Sequence, residues 1–188
     1  MNSLKIKLAY SELELIEIKN LQNKNLKENI SIEEKQSEGF LTANYTLEFL
    51  KKLNNKTPAI IIKSEKVNGY AIAVTKEVAK EHKLLNNLVY NFDKQLIDGN
   101  LLSNQSYIVV GQLCIEKKYR GFDYVKKIYS FFKDTYSTYR YCVTAVDIKN
   151  VRSLKAHKKC GFIKIGELKL NNNPGDIILW DWKNKPMT

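Results

Sequence analysis

Asn150-Val151-Arg152-Ser153-Leu154-Lys155-Ala156-His157-Lys158-Lys159-Cys160-Gly161-Phe162 is the stretch on which the reading of this chain turns. Its spacing predicts a helix over Val151–Lys159 that carries Asn150, Ser153, Leu154, His157 and Gly161 along one stripe. Polar groups on a stripe that also holds Leu154 suggest a face turned partly to a ligand. Asn150 is equally a good helix N-cap and Gly161 a good residue on which to leave a helix, so capping alone would explain both. A histidine such as His157, taken by itself, is more often a satisfied or surface residue than a catalytic one.

Upstream lies Ile115-Glu116-Lys117-Lys118-Tyr119-Arg120-Gly121-Phe122-Asp123-Tyr124-Val125. A strand over Tyr107–Ile115 leads into a tight basic turn, and Val125, Ile128, Tyr129 and Phe132 then recur at helical spacing, which predicts a helix over Asp123–Thr135. The start of such a helix presents unpaired N–H groups at the positive end of its dipole, a natural seat for a pyrophosphate. Arg120 with Lys117 or Lys118 adds charge, and Gly121 allows a sharp turn. An ordinary strand-to-helix loop with solvated lysines would look the same.

Taken together and in this order, the two stretches resemble the signature regions of the GCN5-related N-acetyltransferase (GNAT) family. There a strand leads into Arg/Gln-x-x-Gly-x-Gly/Ala, and a later helix carries Asn, then Ser or Ala, then usually Tyr, and ends in Gly-Phe. Arg120, Asn150, Ser153, His157 and Gly161-Phe162 fill those positions, and the hairpin at Pro58–Val74 with Gly69-Tyr70 resembles the one that precedes them. The resemblance is specific from about Gln112 to Phe162. Two positions depart from it: Asp123 stands where the family has its first Gly, and Val125 at the Gly/Ala position. A carboxylate there competes with a pyrophosphate, unless Asp123 turns away to cap the helix.

The resemblance implies an α/β fold with a mixed, mostly antiparallel sheet, a splayed parallel strand pair and flanking helices. It implies acetyl-CoA or a related acyl-CoA as cosubstrate and transfer of the acetyl group to an amine by direct attack in a ternary complex. Leu113, Cys114 and Ile115 would offer backbone N–H groups to the thioester carbonyl. Arg120, Gly121, Phe122, Asp123, Tyr124 and Val125 would hold the pyrophosphate, with Asn150, Ser153 and His157 on the following helix. His157, at the usual Tyr position, is the expected general acid for the departing thiolate. Glu116 and Asp147 are the nearest candidates for a base, each more simply a surface or structural carboxylate. Glu34, Glu38 and Glu48 could attract a cationic amine, though solvated charge is the plainer reading. The alternative function is a non-catalytic module on the same fold that senses CoA or binds protein or RNA.

The remaining sequence fits one domain over 1–188 with no repeat or Pro/Gly-rich linker. Leu4–Ala9 alternates as a strand, and Ser11 with Glu14 forms a capping box that opens a helix. Asn23–Ser37 reads as a second helix, Thr46–Leu53 as a short one capped by Thr46, Pro58–Ile62 and Tyr70–Val74 as a hairpin, and Lys76–Leu96 as partly helical. Tyr141–Val146, Phe162–Leu170 and Ile177–Trp182 read as strands, the last two joined by a turn over Asn171–Gly175. Trp180 and Trp182 would share a face that serves as core or as a homodimer contact.

Composition narrows the classes further. The formal net charge is +11, but only Arg120, Arg140 and Arg152 among the 31 basic residues are arginine, and the lysines are dispersed. That argues against a nucleic-acid binder. Apolar runs are short, such as Ala59–Ile62, and no leader-like segment opens the chain, so the expectation is a cytoplasmic protein without a membrane span. Cys114, Cys142 and Cys160 lack metal-ligand spacing and read as reduced thiols; with two histidines, no metal site is expected.

Overall fold

The computed structural model describes residues 4–170 and 172–183. The chain forms two compact units, each from two stretches: Met1–Ala73 with Gly111–Thr135, and Val74–Val110 with Tyr136–Thr188. One strand, β6 (Tyr107–Ile115), contributes its first half to the second unit and its second half to the first.

In the first unit β1 (Lys5–Leu8) pairs antiparallel with β2 (Ile60–Lys63), and β2 with β3 (Val67–Val74). The β2 run Ile60-Ile61-Ile62 is buried throughout, which is why it reads as continuous rather than alternating apolar sequence. Helix α1 (Glu12–Asn25) packs against α3 (Leu47–Lys56), and α6 (Tyr124–Thr135) packs on β2, burying Ile128, Tyr129 and Phe132. Each such large apolar side chain taken from water contributes about 1.5–3 kcal/mol.

The expected capping box at the start of α1 is present in both halves. Ser11 Oγ accepts from Glu14 N–H at 3.2 Å, and the Glu14 carboxylate accepts from Ser11 N–H. The same carboxylate takes Tyr10 N–H at 2.8 Å, Lys7 Nζ at 2.6 Å and Lys63 Nζ at 3.1 Å, so one buried side chain joins α1 to β1 and β2.

The expected helix over Asn23–Ser37 is instead three pieces. Helix α1 runs on to Asn25, a 3₁₀ turn occupies Lys27–Asn29, and α2 (Ile32–Ser37) starts afresh. Two causes are visible. Leu26 is buried and extended, bridged to Leu41, and Ser31 with Glu34 forms a second capping box that restarts the chain.

In the second unit β6 runs parallel to β7 (Tyr141–Asp147) through Tyr107↔Tyr141, Ile108↔Cys142 and Val109↔Val143. Strand β9 (Asn173–Asp181) pairs antiparallel with β7 and with β8 (Ile163–Leu170). The full strand order is β1-β2-β3-β6-β7-β9-β8, a mixed, mostly antiparallel sheet with one parallel pair, as expected. The partly helical Lys76–Leu96 segment resolves into α4 (Lys76–Ala79) and α5 (Lys83–Asp93). A small ribbon follows, β4 (Leu96–Ile97) with β5 (Asn100–Leu101), turning on Asp98 and Gly99, both at positive φ. The β8–β9 turn is tighter than the expected five-residue loop. Leu170 pairs with Asn173, so Pro174 and Gly175 belong to β9; Asn172 has φ 68°, and Asn171 lies outside the described residues. Trp182 is buried, and Trp180 packs on Phe162 and edge-on to Trp182.

Candidate functional site

The basic turn after β6 has the shape the sequence led one to expect, by a different route. Lys117–Tyr119 form a 3₁₀ turn, Arg120 is extended, and Gly121 and Asp123 take positive φ of 89° and 57°. A methyl group at Gly121 would meet nothing within 4 Å, so conformation rather than crowding calls for glycine there. Asp123 occupies the place where the family pattern has glycine, and its backbone is left-handed, a conformation aspartate tolerates better than most residues. Its carbonyl accepts from Lys127 N–H at 3.0 Å, the first bond of α6. The N–H groups of Tyr124, Val125 and Lys126 therefore have no acceptor inside the helix and sit at its positive end. Gly121, Phe122 and Asp123 are exposed, and Tyr124 and Val125 are half-buried. A twelve-residue helix behind an open, left-handed loop is a workable seat for an anion, and the Asp123 carboxylate is a discordant charge there.

The Arg120 side chain is engaged inward. Nε donates to the Ile115 carbonyl at 2.8 Å, Nη1 to the Glu38 carbonyl at 3.0 Å and carboxylate at 2.9 Å, and Nη2 to Asn25 Oδ1 at 2.6 Å. Lys117 pairs with Glu34 at 3.0 Å. Glu34 and Glu38, considered above for a cationic amine, thus hold Lys117 and Arg120 of this turn.

Along β6, Leu113 is half-buried, and Cys114 and Ile115 are buried. Burial pushes the Cys114 thiol up to about 12, which excludes it as a nucleophile near neutral pH. Buried polar bonds fix the middle of the strand. Tyr45 Oη donates to the Gly111 carbonyl at 2.9 Å, Tyr70 Oη to Gln112 Oε1 at 2.6 Å, and Gln112 Nε2 to the Ala43 carbonyl at 2.7 Å. Burial raises the Tyr45 and Tyr70 phenols, so both stay protonated as donors. Nothing in the sequence distinguishes this network, because Tyr45, Tyr70 and Gln112 are far apart in the chain. Glu116 donates its N–H to the Asn68 carbonyl, continuing the strand edge.

In the second unit, helix α7 (Val151–Lys159) has the expected bounds, and Asn150 is its N-cap, accepting from Ser153 N–H at 3.4 Å. Gly161 ends it at φ 97°, with Phe162 N–H on the His157 carbonyl. Asn150 and His157 are buried, Ser153 and Leu154 half-buried, and Val151, Lys155, Lys158 and Lys159 face solvent. The stripe drawn from the sequence is therefore the inward face. His157 stands edge-on to Phe162, with ring centroids 5.1 Å apart. Its Nδ1 lies 2.8 Å from the Ser153 carbonyl and 3.3 Å from Ser153 Oγ. Desolvation lowers the ring's pKa to about 4 against the opposing pull of the Ser153 carbonyl, so it is neutral at pH 7. A carbonyl only accepts, so the 2.8 Å bond places the proton on Nδ1 and a lone pair on Nε2. Asp147, a candidate base, is buried at the end of β7 and accepts Lys149 N–H at 2.9 Å, a turn-forming bond.

Among the described residues no group of three or more His, Cys, Asp or Glu side chains could hold a metal ion, and no helix is long and apolar enough to cross a membrane.

No protein-family model and no curated protein matches the chain in sequence. Solved structures do match it. A GNAT-family acetyltransferase from Streptococcus agalactiae superimposes with a TM-score of 0.66 at 14% identity, over 96% of each chain. The fold is that of the GCN5-related N-acetyltransferases. Within the GNAT fold, a chain of the NatC complex, solved bound to Gag peptide and CoA, matches with a TM-score of 0.64 at 15% identity over 95% of this chain and 98% of that one. YncA from Salmonella typhimurium, solved with its cofactor acetyl-CoA, matches with 0.61 at 13% identity over 98% of each. At these identities the likeness is one of fold, and the GNAT resemblance of the two sequence stretches is what adds residue-level detail.

Proposed function

We propose that the protein is an acetyl-CoA-dependent N-acetyltransferase. The observation that carries this reading is the left-handed turn at Gly121–Asp123 opening onto the N-terminus of α6, in a chain with the GNAT fold. The N–H groups of Tyr124, Val125 and Lys126 would hold the pyrophosphate, with Gly121, Phe122 and Asp123 shaping the loop and Arg120 setting its base. Leu113, Cys114 and Ile115 would present backbone N–H groups to the acyl carbonyl. The family resemblance assigns Asn150, Ser153 and His157 on α7 to the cofactor as well. Acetyl-CoA, when bound, supplies an activated acyl group on a thiolate leaving group.

His157 is the residue to which proton delivery falls. With Nδ1–H on the Ser153 carbonyl, its Nε2 has no proton to give. The imidazolium is scarce at pH 7 for a ring whose pKa is about 4. The remaining route is the other tautomer, with Nε2 protonated and Nδ1 accepting from the Ser153 hydroxyl, which already stands 3.3 Å away. The acceptor is an amine on a peptide or small molecule.

A thiol-release assay with acetyl-CoA and a panel of peptide N-termini and small amines tests the reading. Amine-dependent release is expected, with His157→Gln lowering kcat about a hundredfold or more while acetyl-CoA affinity holds. Asp123 is the observation that favours the alternative, a non-catalytic CoA-binding module. Acetyl-CoA binding with no release for any amine would decide for it.

A further inference from the structure

We infer that Arg120 is a positioning residue that latches the α6 anion loop to a flap formed by residues 26–40, so that order in one is order in the other. The flap is a closed excursion. Leu41 N–H donates to the Asn25 carbonyl and Lys27 N–H to the Leu41 carbonyl, both at 2.8 Å, pinning its two ends together. Arg120 reaches into that neck. Of the five N–H donors a guanidinium carries, four are used in the bonds to Ile115, Glu38 (twice) and Asn25. One side chain thus ties the end of β6, the end of α1 and the C-cap of α2 to the residue that precedes the left-handed turn.

A second rung runs parallel. Glu34 and Glu38 are four apart on and just beyond α2, and Lys117 and Arg120 are three apart on and just beyond the 3₁₀ turn, so the pairs Lys117–Glu34 and Arg120–Glu38 form a ladder. The rungs differ in weight. Lys117 and Glu34 are 58% and 42% exposed, where an ion pair contributes little; Arg120 and Glu38 are 14% and 23% exposed, and the fork geometry is one only arginine satisfies. An arginine committed in this way sets the shape of the anion loop and does not serve as a charge for the anion itself.

The latch rests on these bonds alone; its consequence for cofactor binding rests on the acyl-CoA reading above. Hydrogen exchange read by mass spectrometry on the full chain tests both halves. In Arg120→Lys, which keeps the charge and loses the fork, amides of 26–41 and of 117–124 should exchange about tenfold faster together without ligand, with β7 and α7 unchanged. Asn25→Ala should quicken the same two segments to a smaller degree, which covers the case in which the lysine variant folds poorly. Glu34→Gln should change either segment less than threefold or so. If one segment quickens without the other, or neither does, the latch is wrong. Adding acetyl-CoA to the wild type should slow exchange in the flap as well as the loop, and slow only the loop in Arg120→Lys. Slowing confined to the loop in the wild type would overturn the coupling. Slowing nowhere would count against the acyl-CoA reading, while the ligand-free comparison still decides the latch.

Discussion

Glu14→Gln isolates one electrostatic contribution in the first unit. The carboxylate is buried, which by itself raises its pKa, yet the bonds to Lys7, Tyr10 N–H, Ser11 N–H and Lys63 outweigh burial and hold it down at about 2. Against an unfolded value of 4.5, that difference corresponds to about 3 kcal/mol of stability at pH 7. The side chain itself is 4% exposed, whereas Lys7 is 39% exposed, so screening trims the Lys7 share. The folded pKa lies below the unfolded one, so the contribution is complete above about pH 5 and is lost as the pH falls through 4.5 toward 2. At pH 3 about 1 kcal/mol should remain. Glutamine keeps the shape and can still accept from the two backbone donors, so the variant removes the charge rather than the cap. Urea unfolding of both proteins at pH 7 and pH 3 measures the difference directly. A gap of 2–3 kcal/mol or so at pH 7 that narrows by half or more at pH 3 is expected. A gap below about 0.5 kcal/mol at pH 7, or one independent of pH, would refute the reasoning.

His157 should remain neutral in an NMR titration down to about pH 5, with its proton on Nδ1 in the ligand-free protein. The unfolded ring protonates near 6.5 while the buried one resists until about 4, so stability should drop as the pH is lowered across that window, and drop less steeply in His157→Gln. Asp123→Asn keeps a residue suited to the left-handed turn and removes the carboxylate at the start of α6; acetyl-CoA should bind about threefold tighter or better, read by calorimetry. In Gly161→Ala a methyl group would meet Trp180 Nε1 at 2.8 Å on a residue with φ 97°, and the unfolding midpoint should drop by about 5 °C or more.

The parts of the fold legible in the sequence were those with local signals. The Ser11–Glu14 box, the Tyr107–Ile115 run and the Asn150–Gly161 helix each state their limits within a few residues, and the structure keeps them. The break inside Asn23–Ser37 was also written there, as a second Ser-x-x-Glu at Ser31, but the polar composition of the segment hid it. The ribbon turning on Asp98-Gly99 went unread although Asp-Gly is a strong two-residue turn signal, because its strands are two residues long and its neighbours helical. For the candidate site the sequence offered positions in a family pattern and no contacts. Arg120 and Asn150 stand where the family pattern puts them, yet what Arg120 holds depends on Asn25 and Glu38, some 80 to 95 residues away, and no local rule reaches that far. The tautomer of His157 likewise follows from a 2.8 Å contact with a carbonyl, which a one-letter code does not show.

Thermal unfolding with acetyl-CoA, with desulfo-CoA and adenosine bisphosphate as comparisons, tests the central claim most directly. A ligand that binds the native state alone adds about 3 kcal/mol at a hundredfold excess over its dissociation constant, which for a chain of this size raises the midpoint by about 5–10 °C. Such a rise is expected with acetyl-CoA and with desulfo-CoA, and a smaller one with the bisphosphate, which lacks the pyrophosphate. An unchanged midpoint with acetyl-CoA at concentrations far above ordinary cofactor affinity would contradict it.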